Sequence, residues 1–577
     1  QALGLDPQAE VTAQRGDFTL VNVLGQDNAL YRCRFSGIQF SAMLRGCELM
    51  RQDGSAAAFR TTATHAPTEP TSTPQPTHSA TAINNQQAGR IATRPPATPE
   101  PTRALVETPG SVPSISQGAA LLPDMQGDLA ELKDLTRYSI QVHVDYAGLS
   151  LLGHSRVVYT NTESVSLDSL YFRLLPNGGR SYGNGSLQVD HASQDGQPVE
   201  TSLSLSDSVL EIKLAEPLEP GARSQIEMDF AGVIPKNFGV TGYGIYNYTQ
   251  GVMALAGWYP LLAVYDESGW NLDPVSAIGD SVFADMALYT VELTIDQGLV
   301  VAATGVGVDR RTEGSRNQIV FVSGPVREFF LLASDSLQVV SQTVQGTTVN
   351  SYYLPEHAAT GRDALEVAVN SIKAYNKLFG VYPYTELDVV DAPMNYAAGV
   401  EFPGIVLVAE SLYANPRQPT FTIVVAHEAA HQWWYSLVGN DVFDHPWLDE
   451  ALTTYSSALY YEEVRGLGAD QANIEAYQSV YDDLLKNGND DLVTAGLSYY
   501  EQNNPGGYGA VVYRKGALFF HVLRQEIGDE AFFQGLRAYF SAFRYQIASP
   551  TDLLDLFEQT AGRQLDDFYQ EWLYSKQ

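Results

Sequence analysis

The second half of the chain contains two histidines and two glutamates whose types and spacing suit a metal site. His427, Glu428 and His431 form an H-E-x-x-H motif, and eighteen residues separate His431 from Glu450. Residues four apart lie on one face of a helix, so both imidazoles can reach one cation. Three protein ligands leave one position on Zn²⁺ for water, and Glu428 is close enough to act as general base. The spacing therefore predicts one Zn²⁺ bound by His427, His431 and Glu450.

The same five-residue pattern could also arise by chance on a solvent-exposed helix with two surface histidines. Mainly apolar residues flank it here, however, at positions 421–426 and 433–438. Polar side chains within such an apolar helix need partners, because burying unpaired polar groups is costly. A second helix is predicted to begin after Pro446 and to carry Glu450. The surroundings therefore favour the metal site over the surface helix.

Further motifs resemble those of a known peptidase family. Its W-L-N-E-G motif has a counterpart in Trp447-Leu-Asp-Glu-Ala451, with asparagine and glycine replaced, and its Y-x-K-G motif has one in Tyr513-Arg-Lys-Gly516. Its G-x-M-E-N motif resembles Ala398-Gly-Val-Glu-Phe-Pro-Gly404. With the H-E-x-x-H motif and the eighteen-residue spacing, the chain from about Asp134 onward is similar to zinc aminopeptidases of the aminopeptidase N type. These gluzincin metallopeptidases also include leukotriene hydrolase.

The resemblance implies a zinc-dependent aminopeptidase that hydrolyses N-terminal residues from peptides, and each matched residue also has a chemical reason. Glu401 is the matching carboxylate for the substrate's α-ammonium group. Tyr513 is the phenol that would stabilise the oxyanion together with zinc. Gly399 would allow the backbone to approach an extended peptide. The alternatives are a simple turn at 399–404 and a core tyrosine at 513.

The chain departs from the family in one respect that bears on specificity. In the family, the N-terminal domain supplies a Gln or Glu to the substrate amine, but the corresponding stretch, residues 251–260, contains neither. Amine recognition would then depend mainly on Glu401. A thermolysin-like endopeptidase is therefore the second hypothesis. A third is a non-catalytic surface or assembly protein that retains the fold, although such a scaffold has no need for a general base at Glu428.

Composition limits the partners and the location of the protein. The 577 residues include 67 acidic and 34 basic ones, and a net charge of −33 makes nucleic acids and anionic membranes poor partners. No apolar run reaches the about 18 residues of a membrane-spanning helix. The first residue is Gln1 rather than methionine, from which we expect processing and export to the cell surface or outside. In that location Cys33 and Cys47 are expected to form a disulfide, with free thiols as the alternative.

The pattern along the chain predicts a multidomain α+β protein with four regions. Residues 1–54 form a small β-rich segment, and residues 55–125 form a Thr/Pro-rich linker. A β-rich, saddle-like domain follows at 126–336, and a mainly helical, thermolysin-like catalytic domain at 337–577. Within the latter, a helix is predicted to begin at Ser549-Pro550. Residues 1–125 are needed by neither the metal nor the substrate, so we expect them to mediate surface attachment or self-association.

Overall fold

A computed structural model of the protein describes residues 116–577, except 180–181, 237–242, 281 and 417–418, together with four strands between residues 10 and 49. The chain divides into two compact units: residues 1–38 with 42–114, and residues 115–577 with 39–41. The predicted linker extends to residue 125, yet residues 116–125 belong to the larger unit and include the buried Leu121 and Leu122. The other predicted boundaries stay predictions.

The described strands of the smaller unit form an antiparallel sheet with the order β1-β2-β3-β4. In this sheet the backbone positions of Cys33 and Cys47 lie directly opposite each other on β3 and β4. The disulfide itself stays a prediction, and residues 50–115 lie outside the described part of the chain. The strands are β1 Glu10–Arg15, β2 Phe18–Leu24, β3 Leu30–Ser36 and β4 Met43–Leu49.

The first part of the larger unit is rich in strands. Its largest sheet has the order β20-β21-β18-β5-β6-β12-β8-β9, and β5 alternates buried with more exposed residues, as expected for a strand that covers a core on one face. The elements are 3₁₀ helices Gln117–Ala120 and Pro123–Met125, α1 Asp128–Glu131, β5 Thr136–Asp145, β6 Ser150–Thr160, β7 Leu167–Arg173, a 3₁₀ helix Leu175–Asn177, β8 Ser186–Gln194, β9 Gln197–Pro198, β10 Glu200–Ser204, β11 Val209–Leu218, β12 Arg223–Val233, β13 Tyr246–Thr249, β14 Val252–Leu255, β15 Leu261–Leu262, β16 Tyr265–Asp266, β17 Gly269–Trp270, β18 Ala287–Asp296, β19 Val300–Ala303, β20 Val306–Glu313, β21 Arg316–Val322 and β22 Leu331–Ser334.

The second part is mainly helical, with one five-stranded sheet of order β23-β24-β25-β27-β26. Its edge strand β26 pairs antiparallel with β27 and carries the predicted site residues Gly399 and Glu401. The elements are β23 Gln338–Val344, β24 Thr347–Tyr353, a 3₁₀ helix Pro355–His357, α2 Ala358–Leu378, β25 Glu386–Ala392, β26 Gly399–Phe402, β27 Ile405–Ala409, α3 Glu410–Tyr413, α4 Pro419–Ala430, β28 Val438–Gly439, α5 Trp447–Arg465, α6 Gln471–Asn487, α7 Leu497–Asn503, a π-helix Gly509–Lys515, α8 Gly516–Ile527, α9 Asp529–Phe543, β29 Gln546–Ile547, α10 Pro550–Ala561 and α11 Asp566–Trp572.

The order of the elements confirms the predicted α+β class, because strands dominate before residue 336 and helices after it. The predicted helix start at Ser549-Pro550 is also correct. Ser549 and Asp552 form a capping box at the start of α10, and Pro550 occupies its first turn. Among the described residues, no helix combines the length and apolarity that crossing a membrane requires.

Candidate metal centre

The H-E-x-x-H motif lies at the end of the buried helix α4. Val424, Val425 and Ala426 are buried, so tertiary packing holds this helix from several sides. The helix ends at Ala430, and His431 follows it while its backbone N–H still bonds the His427 carbonyl at 3.2 Å. Both imidazoles therefore keep the helical spacing and lie on the same face.

Three ligand atoms form a nearly equilateral triangle. Nε2 of His427 lies 3.2 Å from Nε2 of His431, and Oε2 of Glu450 lies 3.4 Å and 3.5 Å from these two atoms. Ligands at about 2.0–2.1 Å from a tetrahedral Zn²⁺ are about 3.3–3.4 Å apart, so the triangle has the size such a cation needs. The buried Oε2 of Glu450 also accepts no hydrogen bond among the described residues. The donor set therefore fits Zn²⁺.

The electrostatics of the three side chains suit a cation as well. Burial lowers the pKa of His427 to about 4, so this imidazole is neutral at pH 7. Burial acts to raise the pKa of Glu450, but the two imidazoles outweigh it and lower this pKa to about 2. Burial acts to lower the pKa of His431, but Glu401 and Glu450 outweigh it and raise this pKa well above its usual value. The carboxylates around His431 therefore favour positive charge at this position, which a bound cation would also supply.

Hydrogen bonds behind the cluster orient His431. Its Nδ1 lies 3.1 Å from the carbonyl oxygen of Trp434 and 3.4 Å from Oγ1 of Thr453. A carbonyl can only accept, so Nδ1 carries the proton, and the deprotonated Nε2 of a neutral ring faces the triangle. Glu401, Glu428 and His431 form a second group whose ligand atoms lie within 4.8 Å of one another. The first group fits a cation better because both of its imidazoles present Nε2 to one unpartnered carboxylate oxygen.

Glu428 lies beside the triangle in a dry environment. It is buried, and its Oε2 accepts no hydrogen bond among the described residues. Burial raises the pKa of Glu428 to about 8. A Cβ atom at position 399 would overlap Cγ, Cδ and Oε1 of this side chain. The structure therefore gives Gly399 a role that the sequence did not predict: its missing side chain makes room for the predicted base.

Tyr513 reaches the same cluster from a π-helix. Its hydroxyl donates a hydrogen bond to Oε1 of Glu450, and its ring stacks against His427 with the centroids 6.1 Å apart. Tyr508 packs edge-on against Tyr513, with 5.6 Å between the centroids, and its buried hydroxyl has no partner among the described residues. π-helical turns are rare and frequently occur at functional sites. Tyr513 therefore lies beside the predicted metal ligands, and its role in stabilising the oxyanion stays a prediction.

Glu401 connects the cluster to a neighbouring cavity. Its Oε1 lies 3.6 Å from Nδ1 of His431 and accepts no hydrogen bond among the described residues. Burial and the nearby Asp280 raise the pKa of Glu401 well above its usual value. The cavity is open to solvent and is lined by Tyr182, Tyr243, Ile245, Gly279, Asp280, Val282, Glu328, Val400, Glu401, Phe402 and Tyr435.

Two of these carboxylates were not predicted. Asp280 lies in the segment between β17 and β18, and Glu328 lies between β21 and β22. Both belong to the strand-rich part, and both reach the cavity from loops outside residues 251–260, the stretch that corresponds to the family's amine-binding segment. Neither stands in a motif. The only related signal in the sequence is the excess of acidic over basic residues, which does not indicate particular positions.

Comparisons with known proteins agree with this geometry. Residues 363–572 match the family model described as the Peptidase family M1 domain. Aminopeptidase M1-A of Oryza sativa subsp. japonica is 24% identical over 461 residues, which cover 76% of this chain and 49% of the relative. Aminopeptidase N of Lactococcus lactis subsp. lactis is 31% identical over 247 residues, 40% of this chain and 29% of the relative. The chain thus spans about half, or less, of the length of these curated relatives.

A solved structure shows the same fold. The M1 zinc metallopeptidase from Deinococcus radiodurans superposes with a TM-score of 0.57 at 21% sequence identity, covering 76% of this chain and 94% of that chain. Most of the larger unit therefore shares its architecture. Residues 363–572 are therefore similar to the peptidase family M1 domain, and the resemblance to the aminopeptidase N type that the motifs predict is confirmed.

Proposed function

We propose that the protein is a zinc-dependent aminopeptidase that hydrolyses N-terminal residues from peptides. The observation that carries this proposal is the triangle of ligand atoms from His427, His431 and Glu450, at the mutual distances of zinc ligands. Two curated relatives, which align with 76% and 40% of this chain, are named aminopeptidases, and their names support the reaction class. Glu428 beside the triangle and Glu401 at the cavity supply the remaining groups that the reaction needs.

The three ligands would hold the metal, and Glu428 would move the proton. When bound, Zn²⁺ acts as a Lewis acid that polarises the scissile carbonyl and makes water more acidic. The unpartnered Oε2 of Glu428 can take a proton from water as the water oxygen bonds to the carbonyl carbon. The same carboxyl can then give this proton to the leaving nitrogen as the C–N bond breaks. Tyr513, whose hydroxyl points at Glu450, can donate a hydrogen bond to the oxyanion.

Free-amine recognition distinguishes this proposal from the endopeptidase hypothesis. Glu401 is buried beside the ligand His431 and has an oxygen without a donor. An α-ammonium group supplies three donors and the complementary charge, whereas an internal peptide bond supplies neither. Asp280 lines the same cavity and adds a second negative charge. The acidic environment therefore favours an exopeptidase over a thermolysin-like endopeptidase.

One assay separates the hypotheses. Leucyl 4-nitroanilide and its N-acetylated form are offered to the purified protein before chelation, after chelation and after Zn²⁺ is restored. We expect hydrolysis of the free-amine substrate only, loss with the chelator, and recovery with Zn²⁺. Equal hydrolysis of the acetylated substrate would favour an endopeptidase, and no hydrolysis of either would favour the non-catalytic scaffold.

We also propose that the protein is exported and that residues 1–114, the part of the predicted segment 1–125 that lies outside the larger unit apart from residues 39–41, attach it to a surface or to other subunits. The Thr/Pro-rich composition of residues 66–102 supports this proposal, because such stretches form extended spacers. The opposed backbone positions of Cys33 and Cys47 support it as well, since small exported units are commonly stabilised by disulfides. Removing residues 1–115 should release the protein from cells or change its particle size while peptidase kinetics stay the same. Unchanged release and size would contradict the proposal.

A further inference from the structure

The lining residues Asp280, Glu328 and Tyr435 are called the cavity floor below. The proposed reaction does not use the carboxylate of Glu328. Glu328 is 2% exposed, and its Oε1 accepts a hydrogen bond of 2.6 Å from the hydroxyl of Tyr435. Its Oε2 has no partner among the described residues. A buried carboxylate oxygen without a donor is costly and rare in folded proteins. The side chain lines the cavity, so a ligand that enters the cavity from solvent could supply the missing donor.

The backbone of Tyr435 adds a second, independent observation. Its φ is +107°, a conformation in which bulky residues are uncommon and for which glycine is preferred. The conformation is held by the Tyr435 N–H bonding to the Val438 carbonyl at 2.8 Å and by Arg327 Nε donating to the Tyr435 carbonyl at 2.7 Å. Unusual backbone of this kind concentrates at ligand sites. In this protein the unusual backbone conformation places the Tyr435 hydroxyl within hydrogen-bonding distance of Glu328.

The charged residues that line the cavity are all acidic. Asp280, Glu328 and Glu401 line it, and its described lining includes no Lys, Arg or His. The nearby Arg173 donates to the carbonyls of Asn271 and Asp273 and is not part of the lining. Tyr182, Tyr243 and Tyr435 also belong to the lining, and the faces of aromatic rings attract cations. Burial also raises the pKa of Glu328 to about 7, so a bound cation would favour its ionised form.

We infer that this cavity selects peptides whose N-terminal residue is arginine or lysine, with the α-ammonium group at Glu401 and the side-chain cation at Glu328. The inference rests on the proposed aminopeptidase function and names its substrate class. A guanidinium fits both features of the floor: it donates to the free oxygen of Glu328 and stacks on tyrosine. The Asp280 carboxylate would further attract an N-terminal residue that carries both an α-ammonium group and a side-chain cation. Tyr435 acts as a positioning residue that fixes the Glu328 carboxylate.

A neutral substrate of the same shape tests the charge alone. Citrulline replaces the guanidinium of arginine with a neutral urea of nearly equal size. We expect kcat/KM of the wild-type protein for arginyl 4-nitroanilide to exceed that for citrullinyl 4-nitroanilide by about tenfold or more. The Glu328→Gln variant should bring this ratio close to one. The Tyr435→Phe variant should lower it less, because the carboxylate stays but loses its positioning hydrogen bond.

Asp388→Asn is the matched control. Asp388 is fully buried and also has an unpartnered oxygen, but it lies on β25 and does not line the cavity. This variant should keep the wild-type ratio. Equal wild-type kcat/KM values for arginyl and citrullinyl 4-nitroanilide would overturn the inference. The inference would also fail if the arginyl-to-citrullinyl ratio were the same in Glu328→Gln as in Asp388→Asn.

Binding to the wild-type protein keeps the test independent of folding and of turnover. Calorimetry with L-arginine amide and L-citrulline amide should give about tenfold or greater preference for arginine. If no aminoacyl substrate is hydrolysed, the proposed function fails, and this binding preference alone decides the inference. If leucyl 4-nitroanilide is hydrolysed while arginine amide binds no better than citrulline amide, the function stands and the inference fails.

Discussion

The metal cluster and the cavity floor are neighbouring groups of buried polar residues, but they are built differently. The cluster takes His427 from α4, His431 from the residue that follows α4, and Glu450 from α5, and its unpartnered carboxylate oxygen faces the two imidazoles. The floor takes Asp280 and Glu328 from loops of the strand-rich part, and no basic side chain is among its described lining. Under the proposed function, helices would position the catalytic groups and loops would determine which substrates enter.

The largest effect should come from the base of the cluster. Replacing Glu428 by Gln keeps the shape of the side chain but removes its ability to take a proton. We expect kcat to fall by about 10³-fold or more while bound zinc, measured by metal analysis, stays the same. A near wild-type rate would show that Glu428 is not the base. The metal cluster would then not be the region that carries out catalysis, and its contrast with a cavity floor that selects substrates would fail.

Gly399→Ala should have the next largest effect. The added Cβ would overlap the Glu428 side chain and displace its carboxylate, although position 399 binds no metal. Misplacing a catalytic group by about 1 Å can cost about 10²-fold, so we expect kcat to fall by about 10- to 100-fold with zinc content unchanged.

Gly127→Ala is the control for this change. A Cβ at position 127 would meet no atom within 4 Å, and the residue has φ −61°, so alanine fits there without strain. Its kcat should equal that of the wild type. A similar loss in both variants would mean that the effect at 399 is not local to Glu428.

Glu401 lies between the two regions and should affect binding more than chemistry. Glu401→Ala removes the charge partner of the α-ammonium group, so we expect KM for free-amine peptides to rise by about tenfold or more. The inhibition constant of an N-acetylated peptide should change little, because that peptide has no ammonium group. If the KM for free-amine peptides and the inhibition constant of the N-acetylated peptide changed equally, Glu401 would have a structural role. Substrate recognition would then depend on the cavity floor alone.

The smallest effect should come from a position remote from both regions. Ser549→Ala removes the capping box of α10, which should lower the free energy of unfolding by about 1 kcal/mol. Denaturant unfolding measures this loss, and kcat/KM should stay at the wild-type value. Thr551→Ala, at an exposed position in the first turn of the same helix, serves as the control and should change stability little. A loss of activity in Ser549→Ala would show that α10 supports the site.

The sequence predicted the cluster well because its geometry is local. His427, Glu428 and His431 are set by one helix, and Glu450 follows on the next long helix. The α+β class was also predictable, since strand and helix patterns occupy separate parts of the chain. Tyr513 was found through a short motif, but the π-helix that carries it was not predicted, because no residue type marks such a turn.

The cavity floor could not be predicted in this way. Asp280 and Glu328 lie more than 120 and 70 residues before Glu401 and reach it only through the packing of the strand-rich part against β26. The contact between Gly399 and Glu428 has the same origin, because a strand edge meets a helix there. Tyr435 shows the limit most clearly: nothing in its sequence context predicts a positive φ. Such features follow from tertiary structure rather than from local preference.

Zinc content measured together with activity tests the central claim most directly. The purified wild-type protein should bind one Zn²⁺ per chain, lose leucyl 4-nitroanilide hydrolysis when the metal is removed, and regain it at one equivalent. Glu450→Ala should bind zinc about 10-fold or more weakly, because it removes one of three ligands. Full activity without metal, or unchanged zinc affinity in Glu450→Ala, would contradict a zinc site formed by His427, His431 and Glu450.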